Sequence, residues 1–328
     1  MRLSVIVPGY NTPKKFWDRC IASVLGNLQD DDELICVDDA STLDTSFLQE
    51  WADKDGRIKY VKQPVNRGQA YARNVGIEMA RGELVAFVDS DDELFEGIYD
   101  KCRRLMEARN ADVVVYGVRN IWVEEGLYKD AQVKDEERGI LTSKRLLRLY
   151  KGWLFNYPWN KLYRRSFLDM HKIRFVETAI PREDEVLNLA CVDNGARWSV
   201  VEDIGHRYYR YDGTSLARYR RCQEQADQAV NDAWSRALAR LDNAAVLEDG
   251  GILSAAQMRQ NVWRNMWRRG APYTLGDRIG WAKRNFGSGW LKATVKMLLF
   301  MFVRKYLYIR PLRRWNIRHL TNNVKEYR

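Results

Sequence analysis

A doubly wound, mostly parallel α/β sheet with a helical, basic C-terminal extension is the architecture this 328-residue sequence predicts. Three observations lead there. Short apolar runs alternate with helical periodicity through the first half of the chain, the arrangement of a parallel sheet with crossover helices. Polar clusters follow several of those runs at their C-terminal ends, where open α/β sheets bind ligands. Strand signals then stop after about Ser215.

The strand-like runs are residues 3–7, 34–37, 58–61, 84–88 and 113–116. Between the first two, Trp17, Cys20, Ile21, Val24 and Leu25 recur at helical spacing, with Thr12 and Pro13 as N-cap and first turn. Further helices are expected over 69–80 and 95–109. From about 117 to 142 the pattern weakens into a charged stretch, read as an edge hairpin or a loop. Aromatic residues then crowd together at Trp153, Phe155, Tyr157, Trp159 and Tyr163. A second apolar and acidic segment, 186–192, follows Pro181-Arg182-Glu183-Asp184. Residues 221–328 read as helices, so two regions are expected: 1–220 with the sheet, and 221–328 helical.

The net charge of +10 is unevenly placed. From Trp290 onward ten Lys or Arg face one acid, Glu326, and the body is close to neutral. A general affinity of the body for polyanions is not implied, and nucleic acid is not an expected partner. The five cysteines, Cys20, Cys36, Cys102, Cys191 and Cys222, are scattered without a Cys-x-x-Cys pair, and the three histidines lack metal-ligand spacing. Reduced structural thiols in a cytoplasmic protein are expected. The strand pattern starts at Leu3, a reading that leaves no room for a signal peptide. The longest apolar run, 297–303, has seven residues, far below the roughly 20 needed to span a bilayer. The expected location is the cytoplasm, or the inner face of the cell membrane as a peripheral protein.

The most informative segment is Phe87-Val88-Asp89-Ser90-Asp91-Asp92, an apolar strand ending in three carboxylates. Carboxylates this close repel one another unless a cation or proton lies among them. An all-oxygen set suits Mg²⁺ or Mn²⁺, with substrate phosphates completing the shell. An acidic turn capping the next helix has the same composition, and the segment alone does not choose. The turn Pro8-Gly9-Tyr10-Asn11 presents backbone N–H groups and a ring suited to a nucleobase or ribose; as a plain strand-to-helix connection it needs neither. Asp38-Asp39-Ala40-Ser41 repeats the theme, one carboxylate to accept from a base N–H and the other to order the loop, with an Asp N-cap as the simpler alternative. Asn66-Arg67-Gly68 precedes a helix carrying Ala72-Arg73-Asn74-Val75-Gly76. Gly68 permits close backbone approach, and a helix N-terminus favours phosphate. No Gly-Lys-Ser/Thr and no Gly-x-Gly-x-x-Gly is present, which excludes a Walker loop and a dinucleotide fingerprint.

In their order and spacing, Ser4-Val5-Ile6-Val7-Pro8-x-Tyr10-Asn11, Val37-Asp38-Asp39-x-Ser41, Asn66-x-Gly68 with Ala72-Arg73-Asn74-x-Gly76, and Phe87-x-Asp89-Ser90-Asp91-Asp92 resemble the nucleotide-sugar-binding half of the family 2 glycosyltransferases, which have the GT-A fold. The resemblance continues through Trp159-Asn160-Lys161-Leu162-Tyr163 and Arg182-Glu183-Asp184-Glu185-Val186-Leu187-Asn188, and ends near Tyr209-Arg210-Tyr211 and Ser215. It implies a metal-dependent, inverting hexosyltransferase. Pro8, Tyr10 and Asp39 would hold the uracil and ribose of a UDP-sugar, with Asn11 and Asn66 in the same donor site and Asp38 structural. Gly68 and Arg73 would lie near the nucleotide or diphosphate. Asp91 would contact Mn²⁺ or Mg²⁺; Asp89, across Ser90 in the donor site, would face the ribose or a metal-bound water. Asp92 would cap the next helix. Asp184 would be the general base, supported by Glu183, and Tyr209, Arg210 and Ser215 would belong to a loop closing over the diphosphate. Arg182 stands where many members have Gly, a departure on the acceptor side.

That chemistry is coherent. A departing diphosphate needs its growing charge stabilised, which a divalent cation does as a Lewis acid. The acceptor hydroxyl needs a base, and one carboxylate on the opposite face gives a single in-line displacement with inversion. The expected partners are a nucleotide-sugar donor and a glycan or lipid-linked acceptor in surface-polysaccharide synthesis. Trp153, Trp159 and Tyr163 read either as a sugar platform or as core, and His206 as a further metal ligand or, more in keeping with Arg207 and Tyr208 beside it, as structural. A sugar-phosphate nucleotidyltransferase would carry a Gly-rich loop with Arg and Lys near its N-terminus, which residues 8–13 lack. A non-catalytic sugar- or membrane-binding module need not keep Asp39, Asp89, Asp91 and Asp184 together.

In the tail, Leu291, Val295, Leu298, Phe302, Tyr306 and Ile309 recur at helical spacing, with Lys292, Lys296 and Arg304 on another face. Such a basic amphipathic helix suits an anionic membrane surface, and equally a seat on the catalytic domain or on a second copy in a homodimer.

Overall fold

The computed structural model describes residues 1–132, 139–141, 154–177 and 183–211, with isolated positions beyond them. The expected parallel strands are present as β1 (Leu3–Gly9), β2 (Glu33–Asp38), β3 (Ile58–Lys62) and β4 (Leu84–Phe87). β1 pairs in parallel with both β2 and β4, and β2 with β3. Period-two alternation then sorts each strand onto two faces. Leu3, Val5, Val7, Leu34, Cys36, Leu84 and Ala86 point into one core with helices α1 (Lys14–Leu25), α2 (Ser46–Lys54) and α4 (Ile98–Ala108). Ile6, Ile35, Val37, Val85 and Phe87 point into the other, with α3 (Gln69–Met79), α5 (Arg165–Met170) and α6 (Glu183–Asp193). Helices therefore cover both faces, as a doubly wound sheet requires.

Beyond β4 the sheet becomes mixed. β8 (Lys161–Arg164) runs antiparallel to β4 and to the start of β6 (Val113–Trp122). β7 (Leu127–Ala131) forms a hairpin with β6, where a hairpin or a loop was expected. β9 (Trp198–Arg210) lies parallel to β6, and β5 (Glu93–Leu94) closes against its far end. β8, β9 and α2 are not visible in the sequence pattern. β8 is only four residues long. β9 is interrupted by a register shift opposite Tyr116 and Gly117, which leaves Glu202 and Asp203 exposed in mid-strand and breaks the apolar run.

Several expected boundaries move. α1 begins at Lys14 behind Pro13, and the Thr12 hydroxyl is hydrogen-bonded to the Ser90 hydroxyl at 2.8 Å rather than capping the helix. α4 starts at Ile98, later than expected, because Glu93 and Leu94 pair with β9 and Gly97 turns the chain at φ 75°. Cys20, Cys36, Cys102 and Cys191 are free and buried. Trp153, Arg182, Ser215, Cys222, the boundary near 220 and most of the basic tail lie outside the described residues. Within the tail, Leu291 and Val295 are helical and exposed. Lys325–Glu326 form a short strand, β10, antiparallel to β7, a departure from the all-helical expectation. Among the described residues no helix is long and apolar enough to cross a membrane.

The motif Ala72-Arg73-Asn74-x-Gly76 shows how α3 is fixed to the sheet. Ala72 is fully buried in the core, and Asn74 hydrogen-bonds the backbone of Phe175 in both directions, at 2.9 Å each. Gly76 lies directly against Ile6 of β1, where a Cβ would collide with the isoleucine side chain. Alanine favours a helix interior by about 1 kcal/mol over glycine, whereas overpacking costs about 1–3 kcal/mol. Gly76→Ala is therefore expected to lower stability by roughly 1 kcal/mol, read as the midpoint of urea unfolding. An unchanged or higher midpoint would show that Ile6 gives way.

Candidate active site

The C-terminal ends of β1, β2 and β4 and the N-terminus of α3 converge on one edge of the parallel sheet. At the tip of β1, Pro8 is buried and Tyr10 is 49% exposed, so its ring is open to a ligand. Asn11 adopts φ 53°, and its side-chain oxygen accepts from Thr42 N at 2.8 Å and Leu43 N at 3.2 Å. Asn11 thus ties the β1 turn to the β2 turn. Asp38 is consumed by structure, accepting from Ser41 N and from the Thr45 hydroxyl, both at 2.8 Å.

Asp39 reaches across to the loop before α3. Its two oxygens accept from Arg67 N at 3.0 Å and Gly68 N at 2.7 Å, and Asn66 donates to its carbonyl at 3.1 Å. Gly68 sits at φ 94°, a left-handed conformation that favours glycine. The two backbone amides that lead into α3 are therefore given to a carboxylate of this chain. Pro8, Tyr10, Asn11, Asp39, Asn66 and Gly68 lie together at the C-terminal ends of β1 and β2.

A second cluster is built around Arg73. Its Nη1 donates to Asp184 Oδ1 at 2.5 Å and its Nη2 to Asp89 Oδ1 at 2.9 Å, with Glu183 Oε1 3.7 Å from Nη1. The guanidinium side chain is 1% exposed, while those of Asp89 and Asp184 are 20% and 19% exposed. The cation is sealed in and its acids open outward. Gln69, one helical turn before Arg73, adds a bond from Nε2 to Asp89 Oδ1 at 2.8 Å. Asp184 lies in the first turn of α6. Burial pushes Asp184 up to about 8; Arg73 pulls the other way, while Glu183 and Asp89 add to the rise. A carboxylate with that affinity for a proton can exchange one near neutral pH.

Asp89, Ser90, Asp91 and Asp92 divide their tasks. Ser90 links to Thr12. The backbone carbonyl of Asp91 accepts from Arg19 Nη2 at 2.6 Å, while burial, together with Asp92 and Asp89, pushes the Asp91 carboxyl up to about 8. Asp92 corrects the expectation that it caps the next helix. It is fully buried and faces β9, accepting from Tyr209 N at 2.9 Å and sharing a hydrogen bond of 2.9 Å with His206 Nε2. Burial holds the imidazole down to about 3. His206 is accordingly structural, stacked on Trp159 at 4.4 Å.

The aromatic segment is mostly core. Trp159 and Tyr163 are buried, and the Tyr163 hydroxyl donates to Asn188 at 2.7 Å, so neither is a sugar platform. Tyr209 and Arg210 sit within β9, not in a loop. Three residues escaped the sequence reading. Gln69 was legible only through its i, i+4 relation to Arg73. Arg19 carried no signal. Lys161, fully buried, donates to the carbonyls of Leu154 and Tyr157 and to Asn160 Oδ1, fixing the segment beside α6. Asn188 on α6 donates to the Phe155 carbonyl at 2.8 Å from the other side.

Residues 4–171 match the model of glycosyl transferase family 2. The putative glycosyltransferase EpsH of Bacillus subtilis is 31% identical over 176 residues, 53% of this chain and 50% of the relative. The poly(ribitol-phosphate) beta-N-acetylglucosaminyltransferase TarP of Staphylococcus aureus is 27% identical over 213 residues, 63% of this chain and 62% of the relative. The chain spans about half to just under two thirds of the length of the curated relatives it matches. The structure of S. aureus TarS 1–349 in complex with UDP-GlcNAc superposes with a TM-score of 0.65 at 21% identity, covering 89% of this chain and 81% of that one. That likeness shows the fold.

Proposed function

The chain belongs to glycosyl transferase family 2, and from that premise we propose that it moves a sugar from a UDP-sugar, with inversion and with Mn²⁺ or Mg²⁺, to a hydroxyl of a glycan or lipid-linked acceptor in surface-polysaccharide synthesis. One observation carries the reading: Asp89, just beyond the end of β4, and Asp184, in the first turn of α6, open outward from a single buried guanidinium. On this reading a donor-binding carboxylate and a base flank that guanidinium.

The donor half follows from the sheet edge. Tyr10 offers an exposed ring to the uracil, and Asp39 orders the loop of Asn66 and Gly68 against which the nucleoside would lie. Support from relatives is of the same kind: TarS has been solved with UDP and with UDP-GlcNAc. Asp91 and Asp89 fit a hard cation, being neighbouring oxygen donors whose repulsion adds to the burial that pushes the Asp91 carboxyl up. Among the described residues no group of three or more His, Cys, Asp or Glu side chains forms a metal cage. Two carboxylates with the remaining ligands from the diphosphate match the way Mg²⁺ is usually held. When bound, the ion would supply charge stabilisation to the departing diphosphate.

The acceptor half rests on Asp184. Its carboxylate takes the proton of the attacking hydroxyl as the new glycosidic bond forms and the bond to the diphosphate breaks. The net reaction leaves UDP, one proton and the elongated acceptor. Arg73 holds the base in one orientation, with part of the carboxylate open to the outside. The test is a panel of UDP-, GDP- and dTDP-sugars, scored for transfer and hydrolysis with Mn²⁺, Mg²⁺ or EDTA. Turnover of a UDP-sugar that EDTA abolishes is expected; turnover confined to another nucleotide, or indifferent to EDTA, would overturn the donor or metal assignment.

A further inference from the structure

We propose that Arg73 is a positioning residue that holds the base Asp184 and the donor-side Asp89 at one fixed separation, and that it is not a ligand of the diphosphate. The inference rests on the reading of Asp184 as the base. Its position in the motif would allow a phosphate-binding role, so the geometry has to decide.

Three features decide it. The guanidinium is 1% exposed, and both of its terminal nitrogens are already given to carboxylates, Nη1 to Asp184 and Nη2 to Asp89. A phosphate oxygen would have to pass those carboxylates to reach the N–H groups that remain. The charge around it is also wrong for an anion: three acids, Asp89, Glu183 and Asp184, surround this one cation. Finally, the guanidinium is held from behind. It lies 5.2 Å from the centre of the Phe175 ring, and Phe175 is in turn pinned through its backbone by Asn74, the next residue on the same helix.

The consequence is mechanical. α3 carries Gly68 at its N-terminus, Gln69 in its first turn and Arg73 in its second. One rigid helix therefore sets the loop bound to Asp39, the orientation of Asp89 and the position of Asp184 on α6. Two bonds in a fork geometry fix direction as well as distance, which an ammonium cannot do. Because misplacing a reacting group by about 1 Å can cost on the order of 100-fold in rate, loosening this strut should act on turnover and spare donor binding.

Arg73→Lys and Phe175→Leu would be compared with wild type for UDP affinity with Mn²⁺ by calorimetry, for kcat and donor KM, and for melting temperature. Arg73→Lys is expected to bind UDP within about threefold of wild type while kcat falls on the order of 100-fold. Phe175→Leu keeps both salt bridges but loosens their support, so a smaller kcat loss with unchanged UDP affinity is expected. UDP affinity falling in step with kcat would make Arg73 a nucleotide ligand and overturn the proposal, as would an unchanged kcat. If Arg73→Lys does not fold, Phe175→Leu decides on the same two readouts. If wild type transfers no sugar from any donor, the proposed function fails, and UDP affinity alone still tells strut from ligand: retained in Arg73→Lys it supports the strut, lost it overturns it.

Discussion

Asp184→Asn is expected to lower kcat about 10²–10⁴-fold, the usual range for a lost general base, with UDP affinity close to wild type. The separation of effects follows from where Asp184 stands. It is on α6, across the Arg73 guanidinium from Asp89, and its carboxylate is bonded to Arg73 on α3. Asn is nearly isosteric, and its carbonyl oxygen can still accept from Arg73 Nη1, so the strut keeps a partner. Asp89 and Glu183 remain to balance the buried cation. The variant should therefore fold, and melting curves would check that it does. A pH series adds an independent readout. A carboxylate acts as a base only when ionised, and burial pushes this one up to about 8. The wild-type rate should fall as pH drops below about 8, and that acid limb should vanish from whatever activity the variant keeps. A folded variant that retains kcat within about tenfold, or one that loses UDP binding, would move the base elsewhere.

The parallel half of the fold was legible because its signals are local. β1, β2 and β4 are apolar runs buried on both faces, β3 at the end of the sheet is only partly buried, and polar residues follow at the ends of β1, β2 and β4. The carboxylates were legible for the same reason: a buried strand leading into Asp89, Ser90 and Asp91 leaves a short list of chemistries. What sequence could not show is where a side chain finds its partner across the fold. Asp92 sits next to Asp91, yet its partners His206 and Tyr209 lie on a strand more than a hundred residues later. Arg73 belongs to a motif expected to lie near the donor, but only the packing of α3 on Phe175 and α6 shows that its guanidinium is sealed. Lys161 reads as an ordinary charged residue until its ammonium is seen among carbonyl oxygens with no exposure at all. Trp159 and Tyr163 failed as sugar-platform candidates because aromatic density has the same look in a core as at a binding face.

Asp91→Asn should separate stability from activity. The Asp91 carboxylate is raised by burial and by Asp92 and Asp89, so in the absence of a cation its charge is a liability to the folded state. Replacing it with a neutral amide removes that repulsion while keeping size and shape, and the melting temperature without metal is expected to stay level or rise, the usual trade at a functional carboxylate cluster. Activity should move the other way. Losing a group that positions charge opposite a departing diphosphate costs on the order of 10²–10³ in kcat. The two effects meet in a metal titration. An ion that binds only the folded protein stabilises it by about 2.7 kcal/mol at a hundred times its dissociation constant. Wild type should therefore gain melting temperature on addition of Mn²⁺ with UDP, and Asp91→Asn should lose most of that gain. Asp92→Asn is the contrasting case: Asp92 is closed off against His206 and the Tyr209 amide, so its loss should lower the melting temperature and leave the Mn²⁺ response in place. If Asp91→Asn keeps both the Mn²⁺ response and its kcat, the cation is held by other groups, and Asp91 is a strained carboxylate without a ligand to explain it.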